Sequence, residues 1–193
     1  MDEVAVRWAP PGLTPERREL SLSLLSPAER ARAAGDTFLH GRLMLRELVA
    51  ELDSVAPGSV AIEARCTDCG GPHGQPRVLG SRLRVSVAHC PAAIVVVAAR
   101  ERTIGVDVES VAGPRSRVDA IGAVTGIASL EHWTRVEAVL KADGRGLRVD
   151  PRSVEIMGQD ATITGRGIRY RVRRLDLAPT LVGSVAIAEL PTG

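Results

Sequence analysis

The chain has 193 residues, 45% apolar and 25% charged, with 25 basic and 23 acidic side chains and a formal net charge of +2. These proportions exclude a disordered chain and leave enough material for an ordinary core. Three cysteines, an odd number, exclude a disulfide framework and fit a reducing cytosol. The longest apolar run, Ala92 to Ala99, is strand-length, so no membrane span is expected. The opening MDEVAVRWAP has no signal-peptide core. We therefore expect a cytoplasmic protein.

In chain order, Val4 to Trp8 reads as a short strand closed by Pro10-Pro11-Gly12. Pro27 opens a short helix with Ser26 as its cap. A longer helix is expected from about Phe38 to Leu52, capped by Asp36 or Thr37, with Leu45, Leu48, Val49 and Leu52 on one face. Val60 to Ala64 is strand-like, and CTDCGGPHGQP (66–76) is a Gly/Pro-rich loop. Leu83, Val85 and Val87 alternate as in a half-buried strand. Ala92–Ala99 and Thr103–Val108 continue what reads as an antiparallel meander. Gly113 to Gly126 reads as a loose crossover. Ser129 caps a helix running to about Ala142, ended by Gly144 and Gly146. Strands are expected over 153–157, 161–164, 167–175 and 181–189. The order is strand, helix, sheet, then helix and sheet again. It predicts an α+β protein of two similar halves, 1–103 and 104–193.

Of the 25 basic residues, 24 are arginine and one is Lys141. The arginine bias reads as codon composition, so basic count says little about phosphate binding. A lone lysine is more informative, because a compact ammonium donates at a point where a planar guanidinium does not. In WTRVEAVLK, Trp133, Glu137 and Lys141 share one helix face. In TIGVDVE, Gly105, Asp107 and Glu109 share one strand face, with the two carboxylates roughly 7 Å apart. These acids are either a solvated strand face or oxygen ligands for a hard cation, with Gly105 leaving room for a bulky ligand. Glu137 would be a third carboxylate, and three acids around one site imply Mg²⁺ or Mn²⁺. His89 ends a strand beside them. Cys66, Cys69 and His73 offer three zinc-type ligands, and Cys90 would complete a set of four only if the fold brought it there. The glycines of the same loop alternatively let backbone amides approach a phosphate.

Taken in order, HGRLMLRELVAEL, the Gly-rich loop, VSVAHC, IGVDVE and WTRVEAVLKADGRGL resemble the Sfp-type 4′-phosphopantetheinyl transferases, over about Ser26 to Leu147. The resemblance implies two pseudo-duplicated α+β halves with the active site in the cleft between them. It implies transfer of 4′-phosphopantetheine from coenzyme A to a serine of an acyl, peptidyl or polyketide carrier protein, releasing adenosine 3′,5′-bisphosphate. By position, Asp107, Glu109 and Glu137 would hold Mg²⁺ or Mn²⁺. Glu137, Lys141 and Asp107 would be catalytic, and Arg32, Arg65, Gly74, Gln75, Pro76, His89 and Lys141 would bind coenzyme A. A monomer that needs neither nucleic acid nor membrane is implied. The chain departs from the family pattern at Gln75, Ala88 and Val136, which stand for lysine, serine and lysine. Those departures motivate an alternative, a coenzyme A-binding relative without transferase activity. A zinc-stabilised nucleic-acid-binding module is disfavoured, because one Phe, one Tyr and two Trp supply few stacking groups.

Overall fold

The computed structural model describes residues 4–32, 35–112, 115–126 and 129–189. The first half runs β1 (Ala5–Ala9), α1 (Pro15–Leu24), α2 (Pro27–Arg32), α3 (Asp36–Asp53), β2 (Ile62–Glu63), β3 (Arg77–Val78), β4 (Leu83–Cys90) and β5 (Ala93–Arg100). The second runs β6 (Ile104–Ser110), α4 (Arg115–Thr125), α5 (Leu130–Asp143), β7 (Val154–Met157), β8 (Asp160–Ile163), β9 (Arg169–Arg174) and β10 (Leu181–Ala188). Each half builds an antiparallel five-stranded sheet. The order β1-β5-β4-β3-β2 of the first is repeated as β6-β10-β9-β8-β7 in the second. No helix among the described residues is long and apolar enough to cross a membrane.

The layers are helix, sheet, sheet, helix. Period-two alternation in β5 sends Ile94, Val96 and Ala98 toward α3, where Leu45, Leu48 and Val49 meet them. It sends Ala93, Val95, Val97 and Ala99 the other way, against Ile104, Val106 and Val108 of β6 and Val185 of β10. On the far side, α5 buries Val136, Val139 and Leu140 against Tyr170, Val172 and Ala186. Strands buried on both faces explain why the Ala92–Ala99 run carries no polar residue.

Capping follows the local chemistry. Ser26 Oγ accepts from the Glu29 N–H at 3.3 Å while Glu29 Oε2 accepts from the Ser26 N–H at 3.0 Å, a reciprocal box at the start of α2. Ser129 Oγ accepts from the His132 N–H at 3.3 Å, and Gly144 ends α5 in the left-handed region with φ 86°. Glu29 is buried, and Arg46 donates to it at 2.6 Å, with Arg42 Nε 3.3 Å away.

Several expectations change. The three-strand meander breaks after β5: β4 and β5 pair, but β6 pairs with β10 and packs face to face against β4 and β5. The turn at Arg100–Arg102, with Glu101 at φ 61°, is therefore the passage between sheets. Inter-sheet burial of the apolar face of β6 outweighs pairing with its sequence neighbour. The expected crossover contains helix α4 over 115–125, while Gly113 and Pro114 lie outside the described residues. Helix α1 follows Thr14, whose side chain caps it, and was not anticipated because only Ser21 on it is buried. The cap of α3 is Gly35 rather than Asp36 or Thr37. The strand expected at 60–64 shrinks to Ile62–Glu63.

Gly105 sets the distance between β6 and α5. A Cβ there would lie 2.0 Å from the Ala138 carbonyl oxygen, 2.4 Å from the Ala142 nitrogen and 2.9 Å from Lys141 Cβ. The room expected at Gly105 for a ligand is filled by the helix itself. Gly105→Ala should push α5 off the sheet and cost on the order of 3 kcal/mol in urea denaturation. Gly167→Ala, where nothing lies within 4 Å of the added carbon, should be close to neutral.

Candidate functional site

Contact at Gly105 carries Lys141 over the carboxylates of β6. Lys141 Nζ donates to Asp107 Oδ1 at 2.8 Å and lies 3.3 Å from Glu137 Oε1, one helical turn back. Asp107 is 7% exposed at its side chain, against 21% for Glu137 and 26% for Lys141. Glu109 is buried too. The solvated-strand-face reading of these acids therefore fails. Opposite Asp107 in the ladder stands Ser184, whose hydroxyl shares a 2.9 Å hydrogen bond with Thr134 of α5 and pins helix to sheet at the same level.

Electrostatics follow from burial. Desolvation pushes the Asp107 carboxyl up to about 7, Lys141 opposes this, and Glu137 and Glu109 add to it as like charges. For Lys141, burial favours the neutral amine, but Asp107 and Glu137 outweigh it and hold the ammonium above its ordinary value. Asp107 Oδ2 is buried without a hydrogen-bond partner. Carboxylate oxygens are ligands for hard divalent cations. The three carboxylates do not all come within 4.8 Å of one another among the described residues. Lys141 already supplies a positive charge between two of them.

Lys141 also lines a cleft of about 850 Å³ whose walls come from both halves. Arg32, Arg65, Gly74, Gln75, Pro76 and His89, the other expected coenzyme-binding residues, all line it. Asp107, Glu109 and Glu137 are not among its lining residues. Gln75 also bridges the halves: its amide donates to the Lys141 carbonyl at 3.1 Å and the Ile104 carbonyl at 3.4 Å. Gly74 sits where a Cβ would lie 2.2 Å from the Arg65 carbonyl oxygen, so the loop cannot carry a side chain there. Ala88 is buried between the sheets, and Val136 is buried between α5 and the second sheet.

Other cleft residues were not singled out from sequence. Phe38, the only phenylalanine, has the Arg42 and Arg32 guanidinium carbons 5.1 and 5.7 Å from its ring centroid. Arg145 and Arg148 line the opposite wall. In a chain with 24 arginines no individual arginine stands out; the single phenylalanine was the available signal. The Gly-Arg-Gly segments at 144–146 and 165–167 also converge: Arg145 and Arg166 both hold Asp143 at the end of α5. Tyr170 donates to Asp143 at 3.2 Å, and burial beside that carboxylate pushes the phenol up to about 12.

In the 66–76 loop, Cys66, Cys69 and His73 bring one ligand atom each to within 4.8 Å of one another. Cys90 lies in the core between the sheets and does not join them. The Cys66 thiol is held below its ordinary pKa, chiefly by the backbone N–H groups of Cys69 and Asp68. The cluster adjoins the cleft, which Cys66 and His73 line. No protein-family model matches the chain, and no curated protein matches its sequence.

The Asp107 shift predicts a pH dependence in metal-free protein. Its folded-state pKa, about 7, lies above its ordinary 3.8, so the folded state binds the extra proton between these values. Stability relative to Asp107→Asn is then greatest below about pH 4 and falls as pH rises through about 7. Urea titrations of both proteins in chelator at several pH values check this, and parallel curves would contradict it.

Proposed function

We propose that this protein is a 4′-phosphopantetheinyl transferase of the pseudo-duplicated type, moving 4′-phosphopantetheine from coenzyme A to a serine of a carrier protein. The observation that carries the reading is the chain's single lysine. Lys141 lines a cleft formed by both halves, and its ammonium is held by Asp107, whose second oxygen is buried and unpaired. The repeated strand order of the two sheets supports the same reading.

In the reaction the serine oxygen attacks the phosphorus that carries the pantetheine arm. The bond to the bridging pyrophosphate oxygen breaks, and adenosine 3′,5′-bisphosphate leaves with the electron pair. Such a transfer depends on positioning and charge neutralisation. Lys141 has three donors, of which Asp107 and Glu137 engage two; the third would serve a phosphate oxygen. Glu137, more exposed than Asp107, would take the serine proton. Arg32, Arg42 and Arg65 offer guanidinium groups to the nucleotide phosphates, and His89 stands exposed on the same wall. Asp107, Glu109 and Glu137 are the residues that would hold Mg²⁺ or Mn²⁺. Such an ion would supply positive charge to the pyrophosphate.

A second reading, coenzyme A binding without transfer, is favoured by one observation. Gln75 stands for the family's loop lysine, and its amide is committed to backbone carbonyls rather than to a phosphate. Incubation with coenzyme A, Mg²⁺ and a panel of apo carrier proteins, followed by intact mass, separates the two. Transfer predicts one phosphopantetheine added to a carrier, abolished by EDTA and reduced roughly 100-fold or more in Glu137→Gln and Lys141→Met. Coenzyme A binding with no carrier modified would favour the second reading, and neither binding nor transfer would overturn both.

A further inference from the structure

The cysteines of the 66–76 loop have no part in the chemistry proposed for the cleft, yet the chain folds tightly around them. Cys69 Sγ lies 2.9 Å from His73 Nε2. The Gly70 N–H donates to the Cys66 carbonyl at 3.0 Å, and the Cys66 N–H donates to the Gly71 carbonyl at 2.7 Å. Gly70 takes φ +70° to close that turn. The Gly71 N–H points at Cys69 Sγ at 3.4 Å.

Other contacts hold this geometry from outside. Arg32 donates to the Pro72 carbonyl at 2.9 Å, and the Gly74 N–H donates to the Ala64 carbonyl at 2.7 Å. Arg148, from the second half, pairs with Asp68 and donates to Thr67 at 3.4 Å. Asp68 is thereby engaged, and among the described residues no fourth His, Cys, Asp or Glu joins the group.

We propose that Cys66, Cys69 and His73 bind one Zn²⁺ through two thiolates and His73 Nε2, with water in the fourth tetrahedral position. Binding releases two thiol protons to solvent, and the two thiolates balance the charge of the ion. Two soft sulfurs and an imidazole select zinc over the hard cations suited to Asp107. The ion would clip a loop that joins the two halves and forms one wall of the cleft. This site does not depend on the transferase reading, since none of its three ligands has a role in that reaction.

The test uses untagged, reduced, full-length protein. Metal analysis should find one zinc per chain after desalting or after reconstitution with zinc alone. Metal-free protein titrated with Co²⁺ should develop a near-ultraviolet thiolate-to-cobalt band at one equivalent, which zinc then bleaches. Cys66→Ser and Cys69→Ser should each weaken that band, and the double variant should lack both band and zinc. His73→Asn should loosen zinc by at least the roughly 10–100-fold that loss of a supporting partner costs. Zinc below about one-tenth equivalent after reconstitution, zinc retained by the double variant, or cobalt bound without the thiolate band would each overturn the proposal. If the variants fail to fold, the wild-type cobalt spectrum still decides, because Cys90, the remaining cysteine, is buried in the core.

Discussion

Everything at the candidate site depends on how closely α5 lies on β6. A helix usually stands off a sheet by the thickness of its side chains. Here the absence of a Cβ at Gly105 lets the backbone of α5 settle against the strand. That approach puts Lys141 within hydrogen-bond reach of Asp107 two residues along the strand, and Glu137 one turn back on the helix. Burial then acts on the grouped charges. A carboxylate that would be ionised in water is pushed toward neutrality, and the ammonium beside it is held charged. The same packing that strengthens Lys141 as a cation leaves Asp107 with an unsatisfied oxygen.

The two sheets give this local arrangement its setting. Small and β-branched side chains of β4, β5, β6 and β10 fill the space between them, and Val106 N–H donates across it to Ser86 Oγ at 3.2 Å. Both halves use one strand order, and each packs a helix on the outer face of its own sheet. The cleft is lined by α3 and the 66–76 loop of one half and by the end of α5 in the other. Polar contacts tie that rim together. Gln75 reaches the carbonyls of Lys141 and Ile104, and Arg148 reaches Asp68 and the Gly144 carbonyl. A glutamine suits this role, since its neutral amide donates to carbonyls without requiring a counter-charge.

Elements whose signals are local were readable without coordinates. Ser129 and Gly144 mark the ends of α5 because a capping hydroxyl and a left-handed glycine act within one turn of the chain. The four C-terminal strands fall within a residue or two of their expected limits. Elements whose signals are non-local were misread. Nothing in TIGVDVE says that it leaves the sheet of its neighbours, since the apolar face of β6 would fit either a ladder beside β5 or a sheet stacked on it. Helix α1 buries only Ser21, so it offers little apolar stripe to find.

Residue chemistry and spacing, taken alone, determined that one lysine stands two turns beyond Trp133 and one turn beyond Glu137. They also determined that two acids share a strand face, and that two cysteines and a histidine sit in one loop. Helical and strand periodicity make those statements true in any fold that keeps the elements. Only tertiary structure decided which groups meet. The backbone contact at Gly105 brings Lys141 to Asp107, inter-sheet packing buries Cys90 away from the other cysteines, and a cross-half ion pair engages Asp68. These outcomes depend on long-range packing of apolar faces, and a one-dimensional pattern does not encode which face meets which.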